Sequence, residues 1–211
     1  MIRIATLGPR GTNHEMVTRR YMAFHEIENF EIEFVSSFLD AVARMQEGEI
    51  DLILQCAVHP ATAETMGAAF HEVFVSDCFI ADSQELGVLT RRDVDAPRSI
   101  GLLMPSTSDY TDLSRWEQHV NVPSLPIIFD KLMAGEVDSG LIYTSYAASH
   151  PDKLKVDEII GSPDDVWIVY SRKRISHTGG IVARKDTPFT QELRRLAMAD
   201  DQVRRLKTTD R

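Results

Sequence analysis

The 211-residue sequence is poor in cysteine, in positive charge and in long apolar stretches, and each shortage argues against a class of protein. The spacing of the two cysteines, Cys56 and Cys78, matches no zinc motif, and in a reducing compartment we expect both to be free thiols. No apolar run approaches the roughly 18 residues of a membrane helix, so no membrane partner is expected. The net charge is -9, which argues against nucleic acid as a partner.

The start of the chain has none of the features of a secretory leader. The segment from Met1 to Ala5 enters a strand directly, without a basic region, an apolar core or a cleavage site. We therefore expect a cytoplasmic protein. Its 43% hydrophobic and 26% charged residues are an ordinary globular balance, and its length suits one domain or two small lobes.

One order of strands and helices occurs twice along the chain. In each half an apolar strand is followed by a turn-rich loop, and a later Gly-Glu-x-Asp element ends a helix just before a buried strand. The loop prolines, Pro9 and Pro105, lie 96 residues apart, and the elements that begin at Gly48 and Gly135 lie 87 apart. This double repeat favours duplication of a β-α-β-α-β lobe.

Duplication predicts an α/β protein of two lobes, each a mainly parallel sheet flanked by helices. We expect residues 1–82 together with 170–211 to form the first lobe, and residues 84–168 to form the second. A return crossing between the lobes is expected near 166–171. Because ligands bind outside the carboxyl ends of parallel strands, the ligand site should lie in the cleft between the lobes.

The loop of residues 8–13 is the first candidate site. Its glycines, including Gly11, let the backbone approach a ligand closely, and Thr12 or Asn13 can cap the following helix, whose free N–H groups favour an anion. The guanidinium of Arg10 suits a carboxylate. The same loop would also serve as a plain strand–turn–helix connection.

A matching loop in the second half offers the hydroxyls of Ser106, Thr107 and Ser108. We expect it to open a helix, where these hydroxyls would either cap the helix or contact a ligand. If the helices after both loops start at one cleft, they would hold the two ends of a dicarboxylate. A small anionic molecule is therefore the expected partner.

Four further residues complete the candidate site. His59 follows a strand end and would transfer a proton or donate to a carboxylate, or it is simply a loop histidine beside a proline. Tyr143 and Thr144 end a strand of the second half, where ligand contact and core packing are both open, and Trp167 would form an apolar wall. The sequence contains no metal-ligand spacing and no dinucleotide or phosphate loop, so no metal or cofactor is expected.

The run from Leu7 to Thr12, Leu-Gly-Pro-Arg-Gly-Thr, resembles the opening of the prephenate dehydratases. The Gly-Glu-x-Asp stretch of 43–54, and 135–148 with its Ala147-Ala148 pair, resemble that family as well, so that the resemblance covers roughly residues 1–175. It implies a type II periplasmic-binding-protein-like fold, a cytoplasmic location, a homo-oligomer with a dimer favoured, and prephenate bound between the lobes.

The chain departs from the dehydratases in three places. Residues 56–60 replace their Pro-Ile-Glu-Asn-Ser run, residues 164–170 contain no Thr-Arg-Phe, and no ACT regulatory domain is expected. In these respects it resembles the shorter prephenate decarboxylases of the bacilysin type. That resemblance implies a cofactor-free lyase that removes carbon dioxide, protonates the ring and keeps the hydroxyl, with His59 the candidate proton donor. A non-catalytic binding or sensor protein, or an enzyme acting on another acid, remains open.

Overall fold

The computed structural model describes residues 1–174 and 187–195. Residues 188–195 are helical and belong to a separate unit of the chain. The rest of the C-terminal part of the expected first lobe lies outside the described residues. The elements of the larger unit follow in this order: β1 (Ile2–Leu7), α1 (Asn13–Phe24), β2 (Phe30–Val35), α2 (Phe38–Gln46), β3 (Leu52–Cys56), α3 (Thr62–Ala69), β4 (Phe74–Asp82), β5 (Leu86–Arg91), β6 (Ser99–Leu102), β7 (Gln118–Asn121), α4 (Leu125–Ala134), β8 (Ser139–Tyr143), α5 (Ser145–Ser149), β9 (Leu154–Gly161) and β10 (Asp164–Ser171).

The strands form two five-stranded sheets, in the orders β2-β1-β3-β10-β4 and β7-β6-β8-β5-β9. In each sheet four strands run in the same direction, and one, β10 or β5, is antiparallel to both of its neighbours. The expected α/β fold with two mainly parallel sheets is therefore confirmed.

The pairing of strands repeats between the sheets. In the first sheet Ile4 of β1 is opposite Leu52 of β3, and in the second Ile100 of β6 is opposite Ser139 of β8. The partners are displaced by 96 and by 87 residues, which are the spacings of the two motifs in the sequence. The strand pairing of the two sheets therefore agrees with the duplication of a lobe that the motifs predict.

The helix that precedes β3 in the first lobe and the helix that precedes β8 in the second end in the same way. Gly48 after α2 and Gly135 after α4 have φ values of +85° and +75°, the left-handed conformation that favours glycine. A Cβ at these positions would lie 3.3 Å from the guanidinium of Arg172 and 3.0 Å from that of Arg91. The Gly-Glu-x-Asp element is therefore a helix stop that contacts an arginine at the end of the antiparallel strand: Arg91 is the last residue of β5, and Arg172 directly follows β10.

Burial follows the amphipathic patterns of the helices. In α2 the buried residues Phe38, Ala41, Val42 and Met45 recur at helical spacing and pack on the first sheet. In α4 the buried residues are Leu125, Ile128 and Leu132, and they join the core of the second sheet. Each sheet therefore packs against its own helices. The carboxyl ends of its strands lie outside these helix contacts.

Two expectations from the sequence are wrong. The loop that begins at Pro105 opens no α-helix: residues 104–109 form turns, and a single 3-10 turn, Leu113–Arg115, follows. The hydroxyl of Thr107 donates to the carbonyl of Leu103 at 2.9 Å, and Asp112 caps the 3-10 turn, because short polar side chains compete for the backbone groups that a helix needs.

The return crossing is the second correction. The sequence placed it near 166–171, with residues up to 168 in the second lobe, whereas strand β10 already starts at Asp164 and pairs with β3 and β4 of the first sheet. The chain therefore passes between the sheets at 83–85 and at 162–163. The N–H of Ser83 donates to the carbonyl of Pro163 at 2.9 Å, which ties the two crossings together.

None of the helices in the described part of the chain combines sufficient length with sufficient apolar character to cross a bilayer.

Candidate functional site

A cavity of about 480 Å³ lies between the two sheets. It is bordered by residues at or just after the carboxyl ends of five strands, β1, β3, β6, β7 and β8, where parallel sheets are expected to bind ligands. Both lobes contribute to the wall, which comprises Leu7, Gly8, Thr12, Asn13, His14, Cys56, Val58, His59, Pro60, Ser83, Leu86, Leu103, Met104, Ser106, Thr107, Tyr110, Asn121, Val122, Pro123, Ser124, Leu125, Tyr143, Pro163, Asp165 and Trp167.

The residues proposed from the sequence separate into two groups. Seven of them line the cavity: Thr12, Asn13, His59, Ser106, Thr107, Tyr143 and Trp167. Four do not: Arg10, Gly11, Ser108 and Thr144. That any of these residues contacts a ligand stays a prediction, but the structure brings the first group into one cavity.

The loop of residues 8–13 uses much of its hydrogen-bonding capacity internally. The N–H of Gly11 donates to the carboxylate of Glu15 at 2.8 Å, and the hydroxyl of Thr12 donates to the carbonyl of Pro9 at 3.2 Å. The guanidinium of Arg10 is exposed and lies 5.1 Å from the ring centroid of Phe34. The Gly11 amide and Arg10 therefore already have partners outside the cavity.

Asn13 joins the two lobes at the edge of the cavity. Its N–H donates to the phenol oxygen of Tyr143 at 3.0 Å, and its side-chain oxygen accepts from the N–H of Gln84 at 3.0 Å. Tyr143 belongs to the second sheet, and Gln84 to the first crossing. Burial raises the pKa of Tyr143, so its hydroxyl keeps its proton.

Two histidines form the centre of the first-lobe wall. Nε2 of His14 accepts from the N–H of Cys56 at 3.4 Å, and Nδ1 of His59 accepts from the N–H of Ala61 at 3.2 Å. The ring centroids are 6.3 Å apart. Since an accepting nitrogen carries no proton, the hydrogen bonds assign the proton to Nδ1 of His14 and to Nε2 of His59.

Both histidines are neutral near pH 7. Burial, with a smaller contribution from His59, lowers the pKa of His14 to about 3, and burial also lowers the pKa of His59 from its usual 6.5. The ring of His14 lies 5.1 Å from that of Trp167, and His59 lies 5.2 Å from that of Phe38. The aromatic surroundings explain why a charged imidazole is disfavoured here.

The first-lobe wall also carries a carboxylate. Asp165 accepts a hydrogen bond from the hydroxyl of Ser83, and its charge acts on the nearby Cys56 and Tyr110. Burial, aided by Asp165, raises the pKa of the Cys56 thiol to about 12, so this cysteine is not a thiolate nucleophile. None of the described residues that line the cavity is a lysine or an arginine.

Two buried polar atoms of the wall have no hydrogen-bond partner among the described residues. They are Nε1 of Trp167, whose side chain is fully buried, and Oγ of Ser124, a residue that is 7% exposed. A buried donor without a partner costs free energy, and a ligand that accepts from it recovers that cost. The wall therefore offers neutral donors to a ligand that carries acceptor atoms.

Sequence reasoning did not select several residues that complete the wall: His14, Cys56, Ser83, Tyr110, Ser124 and Asp165. Signals for two of them were present. His14 lies one helical turn before the buried pair Val17 and Thr18, and Asp165 is two residues from Trp167 on the same strand and hence on the same face. The chemistry of the wall was partly visible in these spacings.

The described ranges contain no group of three or more His, Cys, Asp or Glu side chains placed to hold a metal ion.

Two mixed sheets flanked by helices, with a cavity at the strand ends between them, give the chain a two-lobed fold like that of the periplasmic-binding proteins. Among solved structures, the chain is similar to prephenate dehydratase from Arthrobacter aurescens in complex with L-Phe, with a TM-score of 0.62 and 15% identity. That match covers 87% of this chain but only 62% of the dehydratase chain.

Two other solved structures share the fold. GqqA, described as a novel type of quorum quenching acylase, has a TM-score of 0.53 at 12% identity over 82% of this chain and 65% of its own. An ABC transporter protein from Parabacteroides distasonis has a TM-score of 0.50 at 15% identity, covering 81% and 66%. At these identities the likeness establishes the fold alone. No family model and no curated protein matches the chain.

Proposed function

We propose that the protein is a cofactor-free lyase of the prephenate decarboxylase type, acting on prephenate or a related cyclic dicarboxylate in the cleft between the lobes. The observation that carries the proposal is that the described wall offers hydrogen-bond donors without fixed positive charge. The N–H groups of His14, His59 and Trp167 are neutral donors, and the nearest charge, on Asp165, is negative.

Such a wall favours the loss of a carboxylate. Neutral donors bind a carboxylate without neutralising it, while the apolar surface of Trp167 and the charge of Asp165 disfavour its negative charge. In decarboxylation that charge leaves the carboxylate and spreads over the ring, so the transition state is disfavoured less than the bound substrate. A lysine or arginine pair would have the opposite effect.

The reaction needs one proton in addition to the bond cleavage. The bond between the ring carbon and its carboxylate breaks, carbon dioxide leaves, the electron pair enters the ring diene, and a ring carbon takes up a proton. The ring hydroxyl remains. His59 is the proposed donor, acting as the imidazolium; its formation places a proton on Nδ1 and displaces the hydrogen bond that this atom accepts from the N–H of Ala61. Because burial lowers its pKa below 6.5, the protonated form is a minority at pH 7 but a stronger acid than an exposed imidazolium, and turnover should fall as pH rises above that pKa.

A cytoplasmic location and a homodimer belong to the same proposal, since the resemblance to prephenate-processing enzymes implies both. Light scattering on the purified protein tests the dimer, and the monomer mass would exclude it.

A second candidate is a non-catalytic protein that binds a small carboxylate in the same cavity. The lowered pKa values of His14 and His59 favour it, because neutral imidazoles bind an anion well and protonate it poorly. This candidate predicts binding of prephenate without turnover.

The experiment is incubation of the purified protein with prephenate, with the products followed by mass spectrometry and prephenate binding followed by calorimetry. Loss of carbon dioxide with the hydroxyl retained is the expected result, and His59→Gln should abolish turnover while binding persists. Binding with no turnover in the wild type selects the second candidate, and the absence of binding overturns both.

A further inference from the structure

We infer that the N-terminus of α4 is a carboxylate-binding subsite of the cavity, formed by the hydroxyl of Ser124 and the N–H of Leu125. The inference deepens the proposed function, because it assigns the group that holds a carboxylate retained through the reaction. It rests on four observations of this helix terminus.

The first observation is the side chain of Ser124. Serine at an N-cap position normally accepts a hydrogen bond from a first-turn amide, but Ser124 makes no such bond. Its Oγ is buried and has no partner in the described part of the chain. At 7% exposure, this hydroxyl is not compensated by bulk water. Because the Ser124 hydroxyl does not bond to its own helix, it can donate to a ligand.

The second observation is the state of the first-turn amides. The second residue of α4, Pro126, has no N–H, and the N–H of Ile127 donates to the carbonyl of Ser124 at 3.2 Å. The N–H of Leu125 makes no hydrogen bond to the described residues. Leu125 and Ser124 both line the cavity, so two adjacent donors without protein partners belong to the same wall.

The third observation is the charge at this terminus. α4 has ten residues, Leu125–Ala134, and its aligned peptide dipoles give its N-terminus a partial positive charge. None of the described wall residues is a lysine or an arginine, and at the other long helix that starts on this wall, α1, the N–H of Asn13 already donates to Tyr143. An anion in the cavity is therefore expected to settle at the N-terminus of α4.

The fourth observation is the position of Ser124 between two cavities. A second cavity of about 490 Å³ adjoins the same part of the cleft, and Leu7, Gly8, His59 and Ser124 line both cavities. A carboxylate at Ser124 would therefore lie on the side of the cleft that also carries His59, the proposed proton donor. One end of a dicarboxylate would be held there while the other end reaches Trp167.

The duplication provides a matched control. Ser37 caps α2 at the position that corresponds to Ser124, 87 residues earlier, and it too makes no side-chain cap bond. Ser37, however, is exposed and does not line either cavity. The two serines share backbone conformation and sequence position in the repeat, and they differ in access to the cavity.

The ligand class is a carboxylate rather than a phosphate. Two neutral donors on one side match the two oxygens of a carboxylate, whereas a phosphate carries more charge and is usually held with a lysine or arginine. The oxo-acid arm of a prephenate-like substrate meets this requirement.

The test is an NMR titration of the full chain with acetate, which follows the amide signals of Leu125 and of Phe38, the first residue of α2. In the wild type the Leu125 signal should shift saturably, and Ser124→Ala should weaken that response about tenfold or more, as expected for a lost charge-assisted hydrogen bond. Ser37→Ala should leave it unchanged. Because the Ser124 hydroxyl has no partner, Ser124→Ala should melt no lower than the wild type.

The outcomes separate the subsite from the proposed reaction. An unresponsive Leu125 signal, or equal acetate affinity in wild type and Ser124→Ala, overturns the subsite whatever happens with prephenate. A saturable shift that Ser124→Ala weakens supports the subsite even if prephenate is not turned over, in which case the proposed reaction alone fails.

Discussion

Burial of neutral His14 should make the protein lose stability in acid by an amount that can be calculated. Its pKa is about 3 in the fold and about 6.5 in an unfolded chain, so between these values the unfolded state binds more protons. The contribution of neutral His14 to the free energy of unfolding is thus fully present above pH 6.5, and it is lost as the pH falls below that value. Between pH 7.5 and 4.5 the loss is up to about 2.7 kcal/mol, or about half of that if water in the cavity screens the charge.

The perturbation is His14→Gln, which cannot titrate but can still accept from the N–H of Cys56. Urea unfolding at pH 7.5 and 4.5 gives the acid-induced loss for each protein, and the effect of the carboxylates cancels in the comparison. We expect His14→Gln to lose about 1–3 kcal/mol less than the wild type. His71→Gln, at an exposed histidine, is the control and should behave like the wild type. An equal loss in His14→Gln and the wild type would refute the account of a buried neutral donor.

Two further predictions concern charges around the cavity. Arg10→Ala should leave the affinity for prephenate within about twofold of the wild type, since its guanidinium stacks on Phe34; a tenfold loss in calorimetry would return Arg10 to the site. Asp165→Asn should strengthen prephenate binding. For a bound carboxylate at a separation of about 8 Å the gain would be about thirtyfold, because two charges at that distance repel by about 2 kcal/mol at an effective dielectric constant of about 20. Weaker binding would instead mean that Asp165 accepts from a donor on the ligand, and Ser83→Ala, which leaves the charge in place, is the comparison.

The duplicated fold was predictable because its signals are local and repeated. A helix end such as the one at Gly48 can be recognised from the neighbouring residues alone. Its recurrence at Gly135 shows which residues of the two halves correspond. The helix expected after Pro105 was wrong for a related reason. The segment repeats the position of α1 but not its apolar periodicity, and side chains such as Thr107 and Asp112 bond to the backbone instead.

The site was only partly predictable because side-chain direction depends on distant strands. Residues at strand ends, such as His59 and Tyr143, were found since the ends of parallel strands converge. Arg10 was placed in the site because of its charge, but its direction depends on Phe34 of a neighbouring strand. Ser124 was not selected, although Val-Pro-Ser-Leu repeats Val-Ser-Ser-Phe at the spacing of 87 residues.

The central claim is that the cavity removes a carboxylate and keeps the ring hydroxyl. Prephenate labelled with ¹³C in its ring carboxylate and with ¹⁸O in its hydroxyl tests it directly, with the reaction followed by NMR and the product oxygen by mass spectrometry. We predict that the ¹³C label appears as carbon dioxide and bicarbonate, that the ¹⁸O stays on the ring, and that the rate falls as pH rises above the pKa of His59. Phenylpyruvate as the product, with the ¹⁸O released to water, would contradict the account.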